Sequence, residues 1–229
     1  MSTSLLRTLA LPLAFGAALS VAVIGSERAA AAAGPGDAAT NADIDVPAKF
    51  REGFTPSISA HTGIAHVAGY PNDARAINNP DFYSSSDLLY GTSYSFHLGY
   101  ALTDYLSAGF MAQFDRYESA HWKSHGLGVG IRLDAFPLVR WYPRLADLGI
   151  LGEVGVGSSA LEAKVGRYPN VDGTQSYVGA GVFYELTLTR IKKGHLALSP
   201  ELKYTHVDAM SISADSLTAG LRLAYYLSR

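Results

Sequence analysis

Cysteine is absent from the 229 residues. That removes disulfides, thiolate metal sites, thiol nucleophiles and a lipid-modified N-terminal Cys from consideration. Charge is also scarce: 18 Lys+Arg and 20 Asp+Glu make up 17 % of the chain, against about a quarter in an average domain. The two signs nearly cancel to a formal −2, so there is no basic footprint for nucleic acid. After the first thirty-odd residues no stretch offers the ~18 uncharged apolar residues of a membrane-spanning helix. What is abundant is apolar and small: 48 % of residues are hydrophobic, with 14 Tyr and 23 Gly. Such a content excludes disorder of the whole chain.

The N-terminus reads as an address label. Arg7 is the only charge before Glu27, and between them runs the uncharged stretch Leu9–Ile24, followed by SERAAAAAG. A short positive start, an apolar core and a small-residue exit are the layout of a secretory signal peptide. Residues 1–33 are assigned to it, with cleavage between Ala29 and Ala33. A membrane anchor is the competing reading, but the run is short and holds Pro12 and Gly16. Residues 34–53, rich in Gly, Ala, Asp, Asn and Pro and without a period, read as a flexible lead-in.

From residue 54 to 229 the chain counts in twos. Leu88, Tyr90, Thr92, Tyr94, Phe96, Leu98 and Tyr100 alternate with Leu89, Gly91, Ser93, Ser95, His97, Gly99 and Ala101. Successive strand side chains point to opposite faces, so one face is large and greasy and the other small or polar. The same pattern recurs over Leu106–Asp115, Gly126–Asp134, Gly152–Gly157, Tyr177–Leu188, Leu196–Thr205 and Leu217–Leu227, with a weaker member over Phe54–Val67. That makes eight strands. Longer loops are expected at Tyr70–Asp87, Glu118–Ser124, Leu161–Gly173 and Asp208–Asp215. Tighter turns fall at Leu102–Asp104 and Ile191–Gly194. The Pro137–Asp147 connection is long for a turn.

A soluble sandwich or a lipocalin-like ligand-binding barrel also alternates, but it carries charge on its water-facing side. Here the second face is Gly, Ser and Ala with a few charges. Those residues suit the interior of a closed eight-stranded barrel, which has room for side chains and little else. The bulky face then points outward, which only lipid tolerates. In hydrocarbon a closed barrel is one of two ways to pair every backbone N–H and C=O. Tyr90, Tyr100, Tyr204 and Tyr225 at the ends of outward rows, and Trp122 and Trp141 near connections on opposite sides, are expected to form the aromatic girdles of such a barrel.

The segments LGYALTDYLSAGF (Leu98–Phe110), LGVGIRLDAFP (Leu127–Pro137), LSPELKYTHV (Leu198–Val207) and SLTAGLRLAYYL (Ser216–Leu227) resemble small outer-membrane β-barrel proteins of the OmpA/OmpX type. The likeness spans residues 54–229. It implies an all-β, eight-stranded antiparallel up-and-down transmembrane β-barrel in the cell outer membrane, with no cofactor and no large pore. Outer-membrane lipids and the barrel-assembly machinery are the implied partners, with a surface ligand at the long loops. The chain departs from the pattern at its end, Tyr226-Leu227-Ser228-Arg229, where such barrels place an aromatic residue.

Arg132, Asp134, Glu153, Glu185, Glu201, Lys203 and Arg222 all fall on the expected inner face. In a narrow lumen they should pair, because an unpaired buried charge is costly. The resemblance implies a plug-like ion-pair network; a proton or ion path is the functional alternative. Raw material for lipid chemistry is limited to His206 with Asp208, Ser211 and Ser213 near the last loop, and no recognised motif joins them. His121 and His125 have i,i+4 spacing, a metal-ligand spacing on a helix, but they sit at a loop–strand junction. The glycines of Gly126–Gly130 precede no helix and read as interior room between strands. No catalytic, cofactor or metal residue is assigned.

Overall fold

The structure, a computed structural model, describes residues 51, 53–139, 141–166, 168–191 and 194–227. The expected signal peptide and most of the lead-in lie outside the described residues. Eight long strands form the wall: β1 (Gly53–Gly69), β2 (Leu89–Thr103), β3 (Leu106–Glu118), β4 (Trp122–Ala135), β5 (Leu148–Ala163), β6 (Val171–Tyr184, continuing as Leu186–Ile191), β7 (Gly194–Asp208) and β8 (Ile212–Leu227). Each pairs antiparallel with its neighbours in sequence, and β8 pairs with β1, which closes the sheet.

Register determines the shape of the closed wall. Paired residues lead from Ile58 through Phe96, Ala112, Val129, Val156, Ser176, Asp208 and Ser213 back to β1 at Ala68. The circuit returns ten residues from its start, a stagger that tilts eight strands by roughly 40° to the axis. β6 is interrupted at Glu185, whose N–H donates to the Asp147 carbonyl at 2.9 Å, and its register against β7 shifts again between Thr187 and Thr189.

The two faces are those the alternation predicts. Ile58, Phe96, Phe110, Val129, Ile131, Val154, Val178 and Leu221 point outward, with Phe110 73 % exposed. Bulky apolar rows on the outside of a closed sheet form a lipid-facing belt. A soluble ligand-binding barrel, which buries such rows in its interior, is ruled out. Among the described residues no helix is long and apolar enough to cross a membrane; the strands do the crossing.

The connections differ from expectation at one end. Only 70–88 is long there; the others shrink to 119–121, 164–170 and 209–211. The strands run on through much of the expected loops because their backbone ladder continues above the belt, where both faces can be polar. Thus Trp122 pairs with Ala163, and Ser213 with Asp208. At the opposite end a two-residue connection (104–105) stands beside the longer 136–147, which holds a 3-10 turn at Pro143–Leu145.

Candidate functional site

The interior is a block of paired charges. Arg132 donates from Nε to Asp134 at 2.9 Å, from Nη2 to Glu201 at 2.5 Å and from Nη1 to Glu153 at 3.4 Å. Arg222 donates to Asp134 at 2.5 Å and stands 3.1 Å from Glu201. Lys203 bridges Glu153 at 3.1 Å and the Gln113 side-chain carbonyl at 3.4 Å, and His61 Nε2 lies 3.1 Å from Glu201. Every side chain in this set is almost wholly buried. The planar guanidinium of Arg132 suits it to several carboxylates at once. Six of the seven charges expected inside therefore meet in one network.

The seventh, Glu185, belongs to a separate cluster at the turn end. Its partner is Arg51, a residue that sequence reasoning placed in the flexible lead-in. Arg51 is 1 % exposed. It donates to Glu185 at 2.8 Å, to Asp147 at 2.7 Å and to the Asp104 carbonyl at 3.2 Å. Its guanidinium also lies 3.6 Å from the Phe136 ring centroid. The Tyr226 hydroxyl donates to Glu185 at 2.5 Å, and its ring stacks on His195 at 4.4 Å. No periodic signal in the sequence marked Arg51, because it precedes the first ladder pair.

Apolar layers bound the charged block. At the turn end Phe136, Leu151 and Phe183 pack together, the two rings edge to face at 5.2 Å. At the loop end Ala65, Val67, Leu89, Tyr117, Trp122, Leu161, Val171 and Ile212, drawn from seven of the eight strands, form one buried cluster. Trp122 thus sits inside at 6 % exposure, which corrects its expected place in an interface girdle. The reason is parity: it shares the even positions of Ser124, Gly126 and Arg132, all on the inner face of β4. Tyr90, Tyr100 and Trp141 are exposed, and Tyr204 and Tyr225 are half-buried on outer rows.

Glycines make floors for the large interior rings. A Cβ at Gly130 or Gly155 would stand 2.7 or 2.4 Å from the Tyr177 hydroxyl, and one at Gly149 would stand 2.2 Å from the Phe183 ring. The GLGVG run thus accommodates a tyrosine.

The candidate chemical groups are placed apart. Ser211 donates to the Asp172 carbonyl at 3.0 Å, and among the described residues no hydrogen bond joins His206 to a serine. His206 Nδ1 instead lies 2.8 Å from Asp215, which also accepts from the Tyr204 hydroxyl. His121 lies 3.4 Å from Asp87 and His125 3.9 Å from Glu162. Among the described residues no group of His, Asp and Glu could hold a metal ion. Asp87, in the first loop, has its carboxyl held below the ordinary range by hydrogen bonds from Ser119 and His121.

Wall and interior together define a class: a small eight-stranded membrane barrel whose lumen is filled by paired charges and packed rings. No family model and no curated relative matches the chain by sequence. Solved structures with a similar fold include Ail, the attachment invasion locus protein of Yersinia pestis. In complex with the heparin analogue sucrose octasulfate it is 12 % identical with a TM-score of 0.43, over 74 % of this chain and 98 % of Ail. Neisserial surface protein A is 14 % identical at a TM-score of 0.36, over 74 % and 95 %. The outer membrane enzyme PagL is 12 % identical at 0.35, over 72 % and 96 %.

Proposed function

We propose that the chain is an outer-membrane barrel that serves the envelope and the cell surface and does not conduct. One observation carries this reading: the charges of the lumen are paired in a buried block with an apolar layer on either side. An ion entering would have to displace bonded groups after crossing Trp122 and Leu161, or Phe136 and Phe183. The loop end faces the medium and the chain termini face the periplasm, in keeping with residues 1–33 as an export signal. Outer-membrane lipids surround the belt, and the barrel-assembly machinery inserts it.

The contact surface is the loop end. The first and third loops are tied together there. Ser84 donates to the Pro169 carbonyl at 2.9 Å, and the Asn72 N–H donates to Asp172 at 3.4 Å. Residues 70–88 and 164–170 thereby present one platform for a surface ligand. A lipid A-modifying activity is not favoured, because Ser211 bonds away from His206.

Two measurements test this. Fractionation followed by an unboiled-versus-boiled detergent gel should place the protein in the outer membrane, with a mobility shift on heating. Planar-bilayer recordings should be silent. Steady unitary currents would overturn the non-conducting role, and recovery in a detergent-free periplasmic wash would overturn the location.

A further inference from the structure

Among the described residues the wall leaves a backbone edge uncovered at the turn end. β5 begins at Leu148, opposite Tyr184. Past Glu185, β6 therefore has β7 on one side and no strand on the other. Leu186 faces Leu198, Arg190 faces His195 and Ile191 faces Gly194, and the hydrogen-bonded order of strands stops at this segment. All six residues of Leu186–Ile191 are exposed. Alternate N–H and C=O groups of such an edge point away from the paired strand and form a template for another.

The chain itself arrives at this place. Arg51 donates to Glu185 at 2.8 Å, and Glu185 is the residue before the edge begins. The covalent chain preceding Arg51 therefore starts within a side chain's reach of Leu186. β6 runs away from the barrel through Leu186–Ile191, whereas residues 43–50 lead toward it. The two senses are opposite, as an antiparallel pair requires. Six extended residues cover the edge, about 20 Å.

The sequence before Arg51 suits that position. Residues 34–53 as a whole have no period, but Asp43–Phe50 reads DIDVPAKF, with Ile44, Val46, Ala48 and Phe50 at every second position. Ile and Val are strand formers. Pro47 has no N–H, so it belongs where the backbone turns away from the edge. That parity aims the N–H groups of Ile44, Val46 and Ala48 at the edge. Asp43 and Asp45 then fall toward the end that carries Arg190, so opposite charges meet. We propose that residues 43–50 add to Leu186–Ile191 as a short antiparallel strand. The lead-in thereby covers the edge that the barrel leaves open.

The test uses the full chain exported by a Gram-negative host and extracted in detergent, with the closed barrel verified by the heat-dependent gel shift. Hydrogen exchange by mass spectrometry reads the peptide covering Leu186–Ile191. A variant lacking residues 37–49 gives the rates of the bare edge. The outward-pointing amides should exchange about ten-fold more slowly in the wild type than in that variant. Ile44→Pro combined with Val46→Pro should release them, because two donors are lost. Asp45→Pro, on the opposite parity, should leave them protected. All three variants change residues outside the barrel wall and should keep the gel shift. Equal rates in the wild type and the deletion variant would overturn the proposal, whether the edge is bare in both or covered in both by a second copy. So would an equal loss of protection in the double-proline and single-proline variants.

Discussion

Arg132 on β4 reaches Glu201 on β7 across the lumen, Nη2 to Oε1 at 2.5 Å, although two strands separate them along the wall. The pair is a crossbar. It is held from both sides, since Asp134 also engages Arg132, and both His61 and Arg222 approach Glu201. Removing one member strands carboxylates in a dry interior. Arg132→Met is therefore expected to destabilise the barrel by about 3–5 kcal/mol, read as a lowered urea midpoint in lipid vesicles. A midpoint unchanged from wild type would show that the network contributes nothing to folding.

Arg51 anchors the turn end through Glu185, Asp147 and the Phe136 ring. A lysine keeps the charge but cannot reproduce the fork or the stacking. Arg51→Ala should cost on the order of 3 kcal/mol in the same unfolding experiment, and Arg51→Lys should recover only part of that. Equivalent midpoints for the lysine variant and the wild type would argue that charge alone matters.

Trp122 fills the apolar layer at the loop end. Its replacement by Ala leaves a void beside Leu161, Val171 and Ile212, for an expected loss of about 3–5 kcal/mol. Bilayer recordings of this variant should remain silent, because the Arg132 block still fills the lumen below. Currents in Trp122→Ala would locate the barrier in the apolar layer instead.

Two glycines of β5 provide a matched pair. A Cβ at Gly149 falls 2.2 Å from the Phe183 ring, while one at Gly152 meets nothing within 4 Å. Gly149→Ala should destabilise by about 1–3 kcal/mol, and Gly152→Ala should stay within about 0.5 kcal/mol of wild type. Equal urea midpoints for the two variants would contradict the packing of Phe183 against this floor.

The first loop is tied down by Asp87, whose carboxyl is lowered from its ordinary value of 3.8 by hydrogen bonds from Ser119 and His121. A depressed folded value means the tie is at full strength above the ordinary value and is lost as pH falls through the lowered one. Carboxyl NMR titration should therefore place the Asp87 midpoint below 3.8, and Ser119→Ala should move it upward. A midpoint at or above 3.8 in the wild type would contradict the tie.

The alternation of large and small residues determined, from sequence alone, the strand count and which face meets lipid. Facing is a local property with a period of two, so a dozen residues suffice to read it. It even contained the answer for Trp122, which lies in step with Arg132; reading that stretch as a loop obscured it. The strand ends at 119–121, 164–170 and 209–211 were not legible, because above the belt the ladder persists after the greasy–small contrast fades. Nor were the partners across the lumen. Arg132 meets Glu201, and Arg51 meets Glu185, only through the registers of several strand pairs and a ten-residue stagger around the closed wall. The same closure brought His66 of β1 beside Asp215 of β8, from opposite ends of the barrel sequence, since the joining of first strand to last exists only in three dimensions.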